Sequence, residues 1–154
     1  VDGRWRDVGV LAGALFAVNV VARLIIRFGF DGDDTAADRV SLAMFAVIGL
    51  ILAVVAFRWA RRRPLADWAA DMALVVLVAM ALTVLVGPLL IAHNPFAGGA
   101  ATFFAQIWLY LLAAGAGVVV GYLVLTALGR DYRSQQLKRY AEVKAAKPRR
   151  VVRR

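Results

Sequence analysis

Asn19, Arg23 and Arg27 recur every fourth residue inside an otherwise apolar run. On a helix that spacing stacks the three side chains along one face. An ionisable residue inside an apolar span costs a few kcal/mol to place in lipid and marks a contact by default. For Arg23 the candidates are an acidic residue of this chain, a neighbouring subunit, a lipid phosphate or a transported substrate. The turn Asp31-Gly-Asp-Asp-Thr-Ala-Ala-Asp38 offers Asp31, Asp33, Asp34 and Asp38 as partners, and the long Arg23 stem can snorkel toward headgroups. Gln106, His93 and Asn94 fall at a similar depth on later segments. Together with Asn19 and Arg23 they form a set that could hold a quinone headgroup or a lipid phosphate. The alternative is that each polar group serves a neighbouring helix or backbone.

Carboxylates are scarce in the apolar runs. Proton-coupled carriers rely on a buried acid; here Asp67 and Asp71 sit near the start of one run, where a helix N-terminus favours anions and where Arg61, Arg62 or Arg63 can meet them across a tight turn. Capping and interfacial pairing are therefore expected of them. Gly115, Gly117 and Gly121 give the last run a small face, with Gly117-Val-Val-Val-Gly121 a GxxxG motif and Ala113 extending it. Such faces let two helix backbones approach; the spacing leaves open whether the partner lies in this chain or another. Gly87-Pro88 should loosen the helix that carries it.

Other chemistries are excluded by count. There is no cysteine and a single histidine, which removes thiolate metal sites, iron–sulfur clusters, disulfide exchange and bis-histidine haem. Asp31-Gly-Asp-Asp lacks the spacing of a calcium loop. No phosphate-binding glycine loop and no nucleophile–base set is present. The expectation is a chain that is not an enzyme and has no metal and no cofactor.

The elements that must position these residues follow from composition. The chain has 154 residues, 62% of them apolar and 19% charged, with a mean hydropathy of +0.72. A bilayer core about 30 Å thick needs roughly 20 apolar helical residues. Four runs qualify, at about 8–30, 40–59, 68–92 and 102–128. Lipid leaves no backbone group unpaired, so continuous runs of this length are helices rather than alternating barrel strands. The links are short, which forces consecutive helices to be antiparallel neighbours. The fold class expected is an all-α integral membrane bundle of four transmembrane helices over residues 1–128. A basic, partly helical tail follows over 129–154, continuing from the fourth helix.

Charge sets the orientation. Lys and Arg number 19 against 10 Asp and Glu, a formal net charge of +9. Arg27 and Arg39 alone flank the acidic turn, and Arg23 lies within the first span. Every other basic residue falls beside the N-terminus, at Arg58 or on the 60–67 link that follows it, or in the tail. By the positive-inside rule both termini are cytoplasmic. Trp5, Trp59 and Trp68 fall at the same predicted interface, as an aromatic belt would. The apolar run after Arg4 and Arg6 is too long for a secretory signal, and no A-x-A site follows it.

Arg61, Arg62, Arg63, Lys138, Arg139, Arg149 and Arg150 are candidates for docking on anionic phospholipids or on an acidic subunit. No aromatic residues interleave the basic run as in a nucleic-acid module, so nucleic acid is not expected.

The Gly117–Gly121 face, the Asn19/Arg23/Arg27 stripe, the basic tail and the high-GC character of RRRP and PRRVVRR have a counterpart. In outline the chain resembles the small tetraspan accessory subunits of actinobacterial cytochrome bcc–aa3 respiratory supercomplexes. The resemblance is architectural and transfers no residue roles. It implies a non-catalytic accessory, assembly or stabilising subunit in a bacterial cytoplasmic membrane, possessing other membrane subunits as partners. The alternatives are a small oligomeric transporter or lipid carrier, and a subunit lending residues to a quinone pocket.

Overall fold

The computed structural model describes residues 2–30, 34–90, 96 and 98–146. Five helices account for nearly all of them: α1 (Asp2–Gly29), α2 (Asp34–Arg62), α3 (Leu65–Leu90), α4 (Gly99–Ala127) and α5 (Tyr132–Ala146). The first four are long and apolar enough to cross a membrane. At 1.5 Å per residue, the 28 residues of α1 and the 29 of α2 and α4 run about 42 Å. That exceeds the roughly 30 Å hydrocarbon core, so each helix carries its polar ends beyond its apolar run.

The contacts fix the helix directions. Arg4, at the start of α1, meets Asp71, at the start of α3, whereas Asn19, late in α1, meets Met44, early in α2. Residues 49 and 53 of α2 face 117 and 121 of α4 in the same order. Thus α1 and α3 run one way, α2 and α4 the other. Among the described residues, the backbones of α1 and α4 each come close to α2 and α3 but not to one another. One end of the bundle, called here the basic end, carries the α1 N-terminus, the Arg63-Pro64 link and α5.

The tightest seam joins α2 and α4. Gly117 and Gly121 are buried. A Cβ at Gly117 would overlap the Gly49 carbonyl oxygen and lie 2.7 Å from Gly49 Cα; one at Gly121 would overlap the Ala53 oxygen and lie 2.8 Å from Ala53 Cα. Carbon atoms rest about 3.5–4.0 Å apart, so only glycine permits this approach. The GxxxG partner is therefore inside the chain, a Gly49-x-x-x-Ala53 counterpart on α2. Ala113 joins the contact: its carbonyl oxygen would lie 3.2 Å from a Cβ on Gly49. Gly115 does not, contrary to the expectation from sequence. It is exposed with nothing within 4 Å of a Cβ, because two residues before Gly117 is the far side of a helix turn.

Ile48, Leu52 and Ala56 of α2, with Leu15 of α1 and Val75 of α3, are fully buried. Trp68 joins this core rather than an interfacial belt. It is 3% exposed and its ring lies 5.8 Å from that of Tyr122. Trp5 does stay exposed.

The tail is not a continuation of α4. Gly129 takes φ +59°, and the Gly129 and Arg130 amides donate to the Thr126 and Leu125 carbonyls at 2.9 and 3.2 Å. That is a Schellman stop, which favours glycine. Asp131 then starts α5, its Oδ2 accepting from the Ser134 amide at 3.2 Å. The Gln135 side chain donates to the Arg61 carbonyl at 3.1 Å, tying α5 to the end of α2.

Candidate functional site

The polar stripe of α1 meets a defect in α3. Residues Leu82–Val86 form a π-helical turn, and the Gly87 amide donates to the Leu82 carbonyl instead of to Thr83. In the π register the Thr83 carbonyl would next look to residue 88, but Pro88 has no N–H. The Thr83 oxygen is thereby released from the helix ladder. Arg23 Nη2 takes it up at 3.4 Å, while Arg23 Nε donates to Asn19 Oδ1 at 3.0 Å. Asn19 Nδ2 donates in turn to Met44 Sδ at 3.1 Å. Gly87 makes room for the pair: a Cβ there would lie 2.8 Å from Asn19 Oδ1 and 2.9 Å from Arg23 Nε. The loosening expected of Gly87-Pro88 takes the form of a wide turn with a carbonyl offered to the arginine.

Arg23 thus has neutral partners. A net hydrogen bond to a charged group contributes about 1.5–3 kcal/mol, and arginine at a helix centre costs about 2.5–3.5 kcal/mol on insertion scales. The two bonds offset the placement, yet the positive charge stays without a counter-charge among the described residues. The expected pairing with Asp34 or Asp38 does not form. Both are exposed at the start of α2, and their carboxylates do not come within 4 Å of the guanidinium. Asp31 and Asp33 lie outside the described residues.

A cavity of about 310 Å³ opens beside Arg23, lined from all four spanning helices. Its polar lining includes Asn19, Ser41, Thr83, Gln106 and Tyr110, with Asp38 on its wall; Ala22, Ile26, Phe45 and Leu109 supply apolar surface. Thr83 and Tyr110 are 5% and 0% exposed, and neither hydroxyl has a hydrogen-bond partner. No family model, curated protein or solved structure matches this chain.

The structure brings Asn19, Arg23 and Gln106 to one cavity and turns Arg27 away, exposed on the outer surface. His93 and Asn94 lie outside the described residues. Thr83 and Tyr110 were not legible as site residues, since a threonine and a tyrosine in apolar helices read as ordinary core. The proline five residues after Thr83 was the available signal.

At the basic end Asp71 is the organising group. Its side chain is 4% exposed and accepts from Arg4 Nε at 2.6 Å and from Arg63 Nη1 at 3.2 Å. Arg63 was expected as a partner; Arg4, 67 positions away, was not. Arg63 also lies 5.6 Å from the Trp59 ring centre, so contacts within the chain hold it while its side chain stays 40% exposed. Arg61, Arg62 and Arg139 line a polar cleft of about 390 Å³, and Lys138 donates to the Gly129 carbonyl at 3.4 Å. Arg149 and Arg150 lie outside the described residues. Hydrogen bonding by Ser134 holds the Asp131 carboxyl below its usual range.

Proposed function

We propose that the chain is a non-catalytic accessory subunit of a larger assembly in a bacterial cytoplasmic membrane. In this reading the basic end is cytoplasmic, by the positive-inside distribution. One observation carries it. The small face of α4 is used up inside the chain, but α1 bears a second one turned outward. Gly9 and Gly13 are exposed with nothing within 4 Å of a Cβ, and Ala17 continues the row. Arg27 falls on the same face about five turns beyond Gly9, exposed and without an ion pair among the described residues. Small residues ending in a cation form a surface on which another membrane helix can pack closely and place an acidic or polar group. The arginines around the α5 cleft supply attraction to anionic headgroups at the cytoplasmic surface.

The architectural resemblance nominates respiratory complex subunits as the first partners to seek. The test is purification from native membranes in mild detergent. The wild-type chain is expected to co-migrate with other membrane subunits. Gly9→Leu/Gly13→Leu is expected to release it as a folded single chain, because nothing within the chain occupies that face. A wild-type protein that migrates alone overturns the reading.

A second reading, a small carrier of lipid-like molecules, is favoured by the Arg23 cavity. It predicts that Arg23→Ala abolishes lipid transfer between liposomes while leaving assembly intact.

A further inference from the structure

We propose that the cavity beside Arg23 binds the anionic oxo headgroup, phosphate or carboxylate, of a membrane amphiphile. The inference stands apart from the accessory-subunit reading, since it needs no partner chain.

Four observations converge. The first is charge: Arg23 is hydrogen-bonded to an amide oxygen and a main-chain carbonyl, so its positive charge faces the cavity with no carboxylate within 4 Å among the described residues. Guanidinium presents five N–H donors in a fixed fork and is matched best by a phosphate or carboxylate. Two of those donors are committed here, which leaves an edge for a ligand.

The second is the behaviour of Thr83. Ser41, Thr102 and Thr126 each donate to a carbonyl one turn back, at 2.9, 2.8 and 3.2 Å. That is the usual outlet for such a hydroxyl in a helix. Thr83 does not do so, although it is more buried than they are. The third is the Tyr110 hydroxyl, fully buried on the facing helix and also unpartnered. Buried hydroxyls are nearly always hydrogen-bonded, because an unpaired one costs about 1–3 kcal/mol. Thr83 and Tyr110 line the cavity from two helices, and each hydroxyl is free to donate to a headgroup oxygen that Arg23 holds by charge.

The fourth is setting. The cavity lies between the apolar spans; Ala22, Ile26, Met44, Phe45, Val84 and Leu109 give it apolar wall, and the exposed Asp38 also borders it, more than 4 Å from the Arg23 guanidinium. A few convergent polar groups in an apolar hollow of about 300 Å³ or more describe a small-molecule site. Phe45 and Leu109 extend it with surface suited to an acyl chain rather than to water.

The test uses the purified full-length chain in neutral detergent micelles, with thermal unfolding followed by tryptophan fluorescence. Phosphatidylglycerol and oleate are titrated as anionic amphiphiles, diacylglycerol as the neutral counterpart, and inorganic phosphate as the free anion. Stabilisation by phosphatidylglycerol or oleate, but not by diacylglycerol, is expected. Thr83→Val and Tyr110→Phe should each raise the half-saturating amphiphile concentration roughly tenfold. Both keep shape and charge, so they carry the test even if Arg23→Gln fails to fold; if it folds, selectivity for the anion should vanish. Lys138→Gln/Arg139→Gln controls for attraction by α5 and should keep the dependence on Thr83 and Tyr110. Equal stabilisation by diacylglycerol, or wild-type affinity in both hydroxyl variants, overturns the proposal. Equal saturation by inorganic phosphate alone overturns the amphiphile and assigns the site to the free anion.

Discussion

Replacing Gly121 by alanine adds one methyl group at the closest point of the α2–α4 seam. That methyl would overlap the Ala53 carbonyl oxygen and lie 2.8 Å from Ala53 Cα and C. Resting carbon contacts are about 3.5–4.0 Å, so the helices must part by roughly 1 Å. A gap of that size forfeits about a quarter to a half of the dispersion energy of each facing atom pair. Overpacking of this kind costs about 1–3 kcal/mol, against at most about 1 kcal/mol returned by the better helix propensity of alanine. Gly115→Ala on the same helix meets nothing within 4 Å, so only the propensity gain remains. The two substitutions are identical in chemistry and should differ by about 1–3 kcal/mol in opposite directions. Reversible unfolding in mixed micelles measures this, with Trp68, packed 5.8 Å from Tyr122, as reporter. Because the atoms met at Ala53 are main-chain atoms, Ala53→Gly should not rescue Gly121→Ala. Equal stability of Gly121→Ala and Gly115→Ala, or full rescue, would refute the seam as described.

Arg4→Gln/Arg63→Gln should destabilise more than Asp71→Asn in the same assay. The double change strands a buried carboxylate, at about 3–5 kcal/mol, whereas Asp71→Asn leaves two arginines that are 58% and 40% exposed and can reach water. Gly87→Ala should cost about 1–3 kcal/mol, because its methyl displaces the Asn19–Arg23 pair; amide exchange late in α3 should rise with it. Asp131→Ala should loosen the start of α5 by about 1 kcal/mol at neutral pH, read by amide exchange at Ser134 and Gln135. The Asp131 carboxyl is held below its unfolded value near 3.8. Its contribution is therefore complete above that pH and is lost as pH falls through the lower folded value; acid should mimic the alanine variant only below about pH 4.

The sequence by itself determined the elements and their order. Apolar runs of about 20 residues can satisfy their backbones in lipid only as helices, and short links leave no choice but up–down succession. It also marked Gly117 and Gly121 as a close-packing face and placed Asn19 and Arg23 on one side of a helix, because both patterns repeat with the helix turn. Partner choice was not legible. Which small face Gly117 meets, that Arg4 reaches Asp71, that Trp68 is core, and that Gly115 and Arg27 look outward all depend on how each helix is rotated about its axis. In apolar spans that rotation leaves little trace in composition, since lipid-facing and buried residues are alike. The Arg23 site is the sharpest case. Its acceptor exists because Pro88 and a π turn free the Thr83 carbonyl, and its cavity is lined from all four spanning helices. Both are outcomes of packing among four helices, which no single segment encodes.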